Sequence, residues 1–126
     1  MRLLLAGVLA GAALAVSPPS RGLPPAPPAR LQVTALEFEY RLSRQSIVAG
    51  PALIELVNLG EDEHDLRLRR VGGTRTYALR GTQPDERGLL RTRLLPGRFR
   101  LWCSLADHAS RGMRAELRVV PRPSTA

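Results

Sequence analysis

Apolar and charged side chains alternate along much of this chain, and the alternation limits the folds that it can form. Residues 64–71 and 114–120 show it most clearly, for example in Leu66-Arg67-Leu68-Arg69. Side chains two positions apart lie on the same face of a β-strand, so each such segment predicts a strand with one buried face. Turns such as Gly72-Gly73 and Pro96-Gly97 separate the segments, and no segment after residue 30 has a helical period. The sequence therefore predicts an all-β sandwich or barrel of about seven to eight strands.

One predicted strand, residues 31–40, breaks the alternation. Its apolar positions are odd-numbered through Ala35 and even-numbered from Leu36 to Tyr40. An extra residue in one strand of a pair shifts the following side chains to the opposite face. We therefore expect a β-bulge at Ala35-Leu36.

The formal net charge is +8, and every basic residue is an arginine. Most of these arginines alternate with apolar residues, which predicts solvated strand faces. A basic surface can also attract nucleic acid or an acidic protein. Nucleic-acid binding is not expected, because no interleaved aromatic platform accompanies the charge. The arginine faces are therefore expected either to be only solvated or to bind an acidic redox partner.

The first 29 residues are predicted to lie outside the folded domain. Arg2, an apolar run over residues 3–14 and the small-x-small site Ala13-Leu14-Ala15 predict an export signal at residues 1–15. Residues 16–29 contain six of the eleven prolines and predict an extended tether. The domain itself is expected over residues 30–126. We expect a periplasmic or extracellular protein without a membrane span in its mature form, tethered to the membrane only if the signal is retained.

The chain has a single cysteine, Cys103. Exported proteins normally pair their cysteines in disulfides, so a lone thiol predicts another occupant, such as a metal. Apart from Met1, three other side chains offer an imidazole or a thioether. His64 lies at the start of a predicted strand, and His108 and Met113 share a C-x4-H-x4-M loop with Cys103. A thiolate, two imidazoles and a weak thioether suit a copper ion that cycles between two oxidation states. We therefore predict one copper site formed by His64, Cys103, His108 and Met113.

The order of these residues resembles the cupredoxins, the family of azurin and plastocyanin. In that family an early histidine follows an Asn-x-Gly turn, and here Asn58-Leu59-Gly60 precedes His64. The later Cys…His…Met loop follows a Pro-Gly-x-aromatic turn and a strand, matched by Pro96-Gly97-Arg98-Phe99 before Cys103. The resemblance covers about residues 31–120. It implies a Greek-key β-sandwich with one type 1 copper ion at one end.

Asp65 departs from the family pattern, in which an asparagine often follows the first histidine. A carboxylate at this position can accept hydrogen bonds from the ligand loop, for example from Ser104. Its negative charge near the copper favours the oxidised ion. The departure therefore affects the expected reduction potential and leaves the expected site in place.

The resemblance implies a monomeric electron carrier that exchanges single electrons with redox partner proteins. His108 is expected to reach the surface within a ring of apolar residues that includes Leu59 and Ala109. A copper-binding or copper-delivery module and a domain with altered metal use are the alternatives. An enzyme is not expected, because copper oxidases need further histidine-rich sites and this chain has two histidines, both already used.

Overall fold

Nine β-strands form two sheets in the computed structural model, which describes residues 11 and 14–124. The strands are β1 (Ala29–Leu36), β2 (Glu39–Leu42), β3 (Ser46–Val48), β4 (Gly50–Asn58), β5 (His64–Arg70), β6 (Thr76–Thr82), β7 (Arg87–Leu94), β8 (Gly97–Trp102) and β9 (Arg114–Val120). Among the described residues, no helix is long and apolar enough to cross a membrane. The export signal predicted at residues 1–15 falls largely outside them.

The two sheets enclose one aliphatic core. The four-stranded sheet has the order β2-β1-β4-β7, and the five-stranded sheet has the order β3-β9-β8-β5-β6. Pairs β1–β4 and β3–β9 are parallel and the other pairs are antiparallel. Alternate side chains are buried, for example Leu31 and Val33 of β1 against Phe99 and Leu101 of β8 in the same core. Removing this apolar surface from water stabilises the fold. The predicted all-β sandwich is confirmed.

The strand count is nine rather than the predicted seven to eight, and the predicted bulge at Ala35-Leu36 is wrong. Residues 31–40 belong to a hairpin in which Ala35 pairs with Tyr40 across a turn at Glu37-Phe38. Paired residues share a face of the sheet, so the buried positions change from odd to even numbers across a two-residue turn. Such a hairpin and a bulge shift the apolar pattern in the same way. The short strand β3, which pairs with β9, accounts for the remaining difference.

Four connections meet at one end of the sandwich: turn 37–38 and loops 59–63, 83–86 and 103–113. The backbone N–H of Asn58 donates to the carbonyl of Glu86, which joins the second and third connections. The Glu37 carboxylate accepts the N–H of Asp62, which joins the first and second. These contacts hold together the end of the sandwich at which β5 begins and β8 ends.

Candidate metal centre

Three of the four predicted site residues converge at this end of the sandwich. His64 is the first residue of β5, Cys103 directly follows β8, and His108 lies in the loop that leads to β9. All three are buried, and one ligand atom from each lies within 4.8 Å of the other two. The Sγ of Cys103 lies 3.6 Å from Nδ1 of His108. A thiol and two imidazoles thus face a common point in the interior.

Met113, the fourth predicted residue, is fully buried next to this cluster. Its backbone N–H donates to the carbonyl of His108, and its carbonyl accepts the N–H of Cys103. Gly112 precedes it with φ of +114°, a conformation that side chains with a Cβ rarely adopt. The turn at Gly112 therefore brings Met113 back beside Cys103, where β9 begins. The role of its sulfur as an axial ligand stays a prediction.

The ring of His64 carries the clearest indication of a missing partner. Its Nε2 lies 2.9 Å from Oε1 of Glu37. An ionised carboxylate only accepts hydrogen bonds, so Nε2 carries the ring proton and Nδ1 of the neutral ring keeps its lone pair. Nδ1 is buried and has no hydrogen-bond partner among the residues that the structure describes. Buried polar atoms are nearly always satisfied, so this orphaned nitrogen fits a metal ligand.

Glu37 fixes both the ring of His64 and the loop before it. Its Oε1 also accepts the backbone N–H groups of Glu61 and Asp62, each at 2.8 Å. The backbone bond from Asp62, then that from Glu61 and the contacts with His64, lower the pKa of Glu37 to about 2 against the desolvation that raises it. A Cβ on Gly60 would clash with the same oxygen where it now lies, so glycine at this position permits the close approach. The sequence analysis missed Glu37, because its contact with His64 depends on the hairpin turn at residues 37–38.

A Glu37→Gln variant should bind copper about 10–100-fold more weakly, because hydrogen-bond partners that orient a histidine ligand typically contribute this much to metal affinity. Glutamine keeps an acceptor for the two backbone N–H groups but removes the charge that holds Nε2 protonated. Competition with a chelator of known affinity measures the effect. Glu39→Gln is the matched control, since Glu39 is exposed and forms an ion pair with Arg41. Equal affinities in the two variants would contradict the role given to Glu37.

Asn58 explains the Asn-x-Gly motif in physical terms. Its Oδ1 accepts the N–H of Gly60 at 2.9 Å, and its Nδ2 donates to the carbonyls of Asp62 at 2.7 Å and Thr82 at 2.8 Å. The side chain is fully buried. One amide therefore holds the loop that positions His64 and joins it to the end of β6.

Asp65 connects His64 to the ligand loop, as its place in the sequence suggested. Its Oδ1 accepts the backbone N–H of Ser104 at 2.7 Å, and its Oδ2 accepts the Ser104 hydroxyl. Oδ2 also lies 3.2 Å from Nε of Arg67, so the buried carboxylate has a cationic partner. The Tyr40 hydroxyl donates to the Asp65 carbonyl, and burial raises the pKa of Tyr40 far above its ordinary value.

The surface around His108 is more acidic than the expected apolar ring. Leu59 is 58% exposed, and Ala109 is half-buried. Nε2 of His108 also lies 3.6 Å from a carboxylate oxygen of Asp62. On its other side the His108 ring packs on Phe38, with ring centroids 4.9 Å apart.

The donor set suits a soft, redox-active metal. Burial raises the pKa of the Cys103 thiol, so at neutral pH the metal-free side chain is protonated and a bound metal must displace that proton. Thiolate and imidazole together select copper or zinc over hard cations such as magnesium and calcium. His64, Cys103 and His108 fit one copper ion, with a buried thiol, an orphaned imidazole nitrogen and a second imidazole beside the sulfur.

No protein-family model matches the sequence, and no curated protein matches it. Solved structures do. Auracyanin A, a "blue" copper protein from the green thermophilic photosynthetic bacterium Chloroflexus aurantiacus, is 14% identical with a TM-score of 0.59, over 74% of this chain and 99% of that chain. Amicyanin from Paracoccus versutus is 16% identical with a TM-score of 0.52, over 75% and 84%. A multicopper oxidase is 14% identical with a TM-score of 0.56, over 78% of this chain and 46% of that chain.

At these identities the likeness establishes the fold. It agrees with the two mixed sheets. The resemblance noted in the sequence is therefore confirmed at the level of architecture: the chain has the cupredoxin fold, with a His-Cys-His cluster that fits one copper ion.

Proposed function

We propose that this protein is an exported one-electron carrier that holds a single copper ion with His64, Cys103 and His108, and with Met113 as a weak axial ligand. The observation that carries the proposal is the buried donor cluster in which Nδ1 of His64 has no hydrogen-bond partner within the described part of the chain. A copper ion bound there would supply one-electron chemistry between Cu(I) and Cu(II). Export is proposed from the residue pattern at positions 1–15 and from the lone cysteine.

The surrounding residues favour a site that keeps its geometry in both oxidation states. Glu37 and Asn58 fix the loop before His64, and Asp65 holds the start of the ligand loop through Ser104. Fixed ligands reduce the rearrangement that accompanies a change of charge. Burial of the cluster also keeps water away from the donors. Both features suit electron transfer better than metal exchange.

A redox titration of the copper-loaded protein tests this function. We expect a reversible change of one electron per copper, with the metal retained in both states. Measurement of copper release to a chelator separates the carrier from a delivery module. Rapid release on reduction, or sustained oxygen consumption with a reducing substrate, would contradict the carrier function.

His108 is the proposed route for electrons at the copper end, and Leu59 is the exposed apolar residue expected beside it. Leu59→Glu should slow electron self-exchange between two protein molecules, because it adds a charge that must be desolvated when two copper ends meet. The visible spectrum should not change. Leu95→Glu is the control, since Leu95 is 63% exposed and follows β7 at the opposite end of the sandwich. Equal self-exchange rates in both variants would show that electrons leave elsewhere.

A further inference from the structure

The outer face of the five-stranded sheet is densely basic. Strand register puts Arg67 of β5, Trp102 of β8 and Arg114 of β9 in one row across the sheet. The next row contains Arg69, Arg100 and Glu116. Paired residues point to the same side, so arginines that are distant in sequence form one surface.

A cleft of about 820 Å³ lies on this surface, and Trp102 is among its lining residues. Val71, which is 40% exposed, lies at one side of the cleft. Arg69, Arg100 and Arg114 line the same cleft. Tryptophan and arginine are enriched among the residues that dominate protein binding.

The arginines of this surface are poorly neutralised. Within residues 14–124, no carboxylate lies within 4.0 Å of a guanidinium nitrogen of Arg69, Arg100 or Arg114. Arg69 donates to the hydroxyl of Thr76 and Arg114 to the carbonyl of Ala109, both neutral acceptors. Their positive charge is therefore available to an external partner.

The copper end has the opposite charge. Its exposed residues include five carboxylates, which are Glu37, Glu61, Asp62, Glu63 and Asp107. An acidic molecule is repelled from that end and attracted to the arginine face.

We propose that the arginine face, formed by Arg69, Arg100 and Arg114 around Trp102, is the docking surface for an acidic protein. This inference rests on the proposed function in one respect, since it identifies that protein as a redox partner of the carrier. Trp102 directly precedes Cys103, so a partner docked here contacts the neighbour of the buried thiol.

The shape of the face favours an acidic protein over nucleic acid and over an anionic membrane. Single-stranded nucleic acid is bound by aromatic stacking platforms along a basic groove, and this cleft offers one half-buried tryptophan. An anionic membrane attracts protruding apolar side chains, whereas the tryptophan here is half-buried in a cleft lined by arginines. A protruding acidic segment of a protein fits both the charge and the shape.

Trp102 is the sole tryptophan of the chain and reports directly on occupancy of the cleft. We would titrate the full-length protein with a polyglutamate peptide and follow tryptophan fluorescence, with and without copper. Saturable binding that weakens with added salt is expected. The double variant Arg69→Glu/Arg100→Glu should bind about tenfold more weakly, because two attractions become two repulsions. Arg69→Gln/Arg100→Gln should lose a smaller part of the affinity.

The matched control reverses two arginines on the other sheet, in Arg91→Glu/Arg93→Glu, where both side chains are exposed on β7. Equal losses in the two double-glutamate variants would reduce the effect to net charge and overturn the docking surface. Tighter binding of phosphatidylglycerol vesicles or of a DNA duplex than of polyglutamate would also overturn it. Peptide binding can be measured without copper, so the two proposals can fail separately. Peptide binding without a blue spectrum in the copper-loaded protein contradicts the carrier. A normal blue spectrum without peptide binding contradicts the docking surface.

Discussion

A Cys103→Ser variant loaded with copper(II) should lack the intense blue colour expected of the unaltered protein, even if His64 and His108 still hold the metal. The colour arises from charge transfer from a thiolate sulfur to a copper ion held in a trigonal field. Serine removes the donor orbital while preserving the size of the side chain. Visible absorption of the two proteins at equal copper content measures the difference.

Met113→Leu provides the contrasting result. Met113 is fully buried in the core, and leucine preserves its volume and apolar character. In the proposed site this change removes only a weak axial donor, so the colour should persist and the reduction potential should rise. A Cys103→Ser protein that stays blue, or a Met113→Leu protein that turns colourless, would contradict the assigned roles.

An Asn58→Ala variant should lose about 2–3 kcal/mol of unfolding free energy, because the buried carbonyl of Thr82 and the groups of loop 59–63 lose their partner. For a domain of this size such a loss lowers the melting temperature by roughly 10–20 °C. Thermal unfolding of the metal-free protein measures it. Gln83→Ala is the control, since it removes an exposed amide from a neighbouring loop. Equal melting temperatures in the two variants would show that Asn58 does not hold the loop.

The sandwich and the candidate ligands were predictable for different physical reasons. Alternation of apolar and charged residues fixes which faces of the strands are buried, as in β5 and β9. The ligands were predictable because their residue types are rare: the chain has one cysteine and two histidines. The contact from Asp65 to Ser104 followed from their positions next to His64 and Cys103.

Other features depend on pairings that local sequence does not specify. Glu37 reaches His64 across 27 residues, and only the hairpin at residues 37–38 turns it toward the site. The chain has eleven acidic residues, so nothing in composition singles out this one. The arginine face was also not predictable from local sequence. Alternation predicts exposed arginines on each strand, but the register between strands decides that Arg67 and Arg114 lie in one row with Trp102.

The visible absorption spectrum of the unaltered full-length protein, titrated with copper(II), tests the central claim most directly. We predict an intense blue band that grows in proportion to added copper and reaches its maximum at one copper per chain. The band should disappear on reduction and return on oxidation. A protein that stays colourless with bound copper(II), or whose band continues to grow beyond one equivalent, would contradict a single buried site formed by His64, Cys103 and His108.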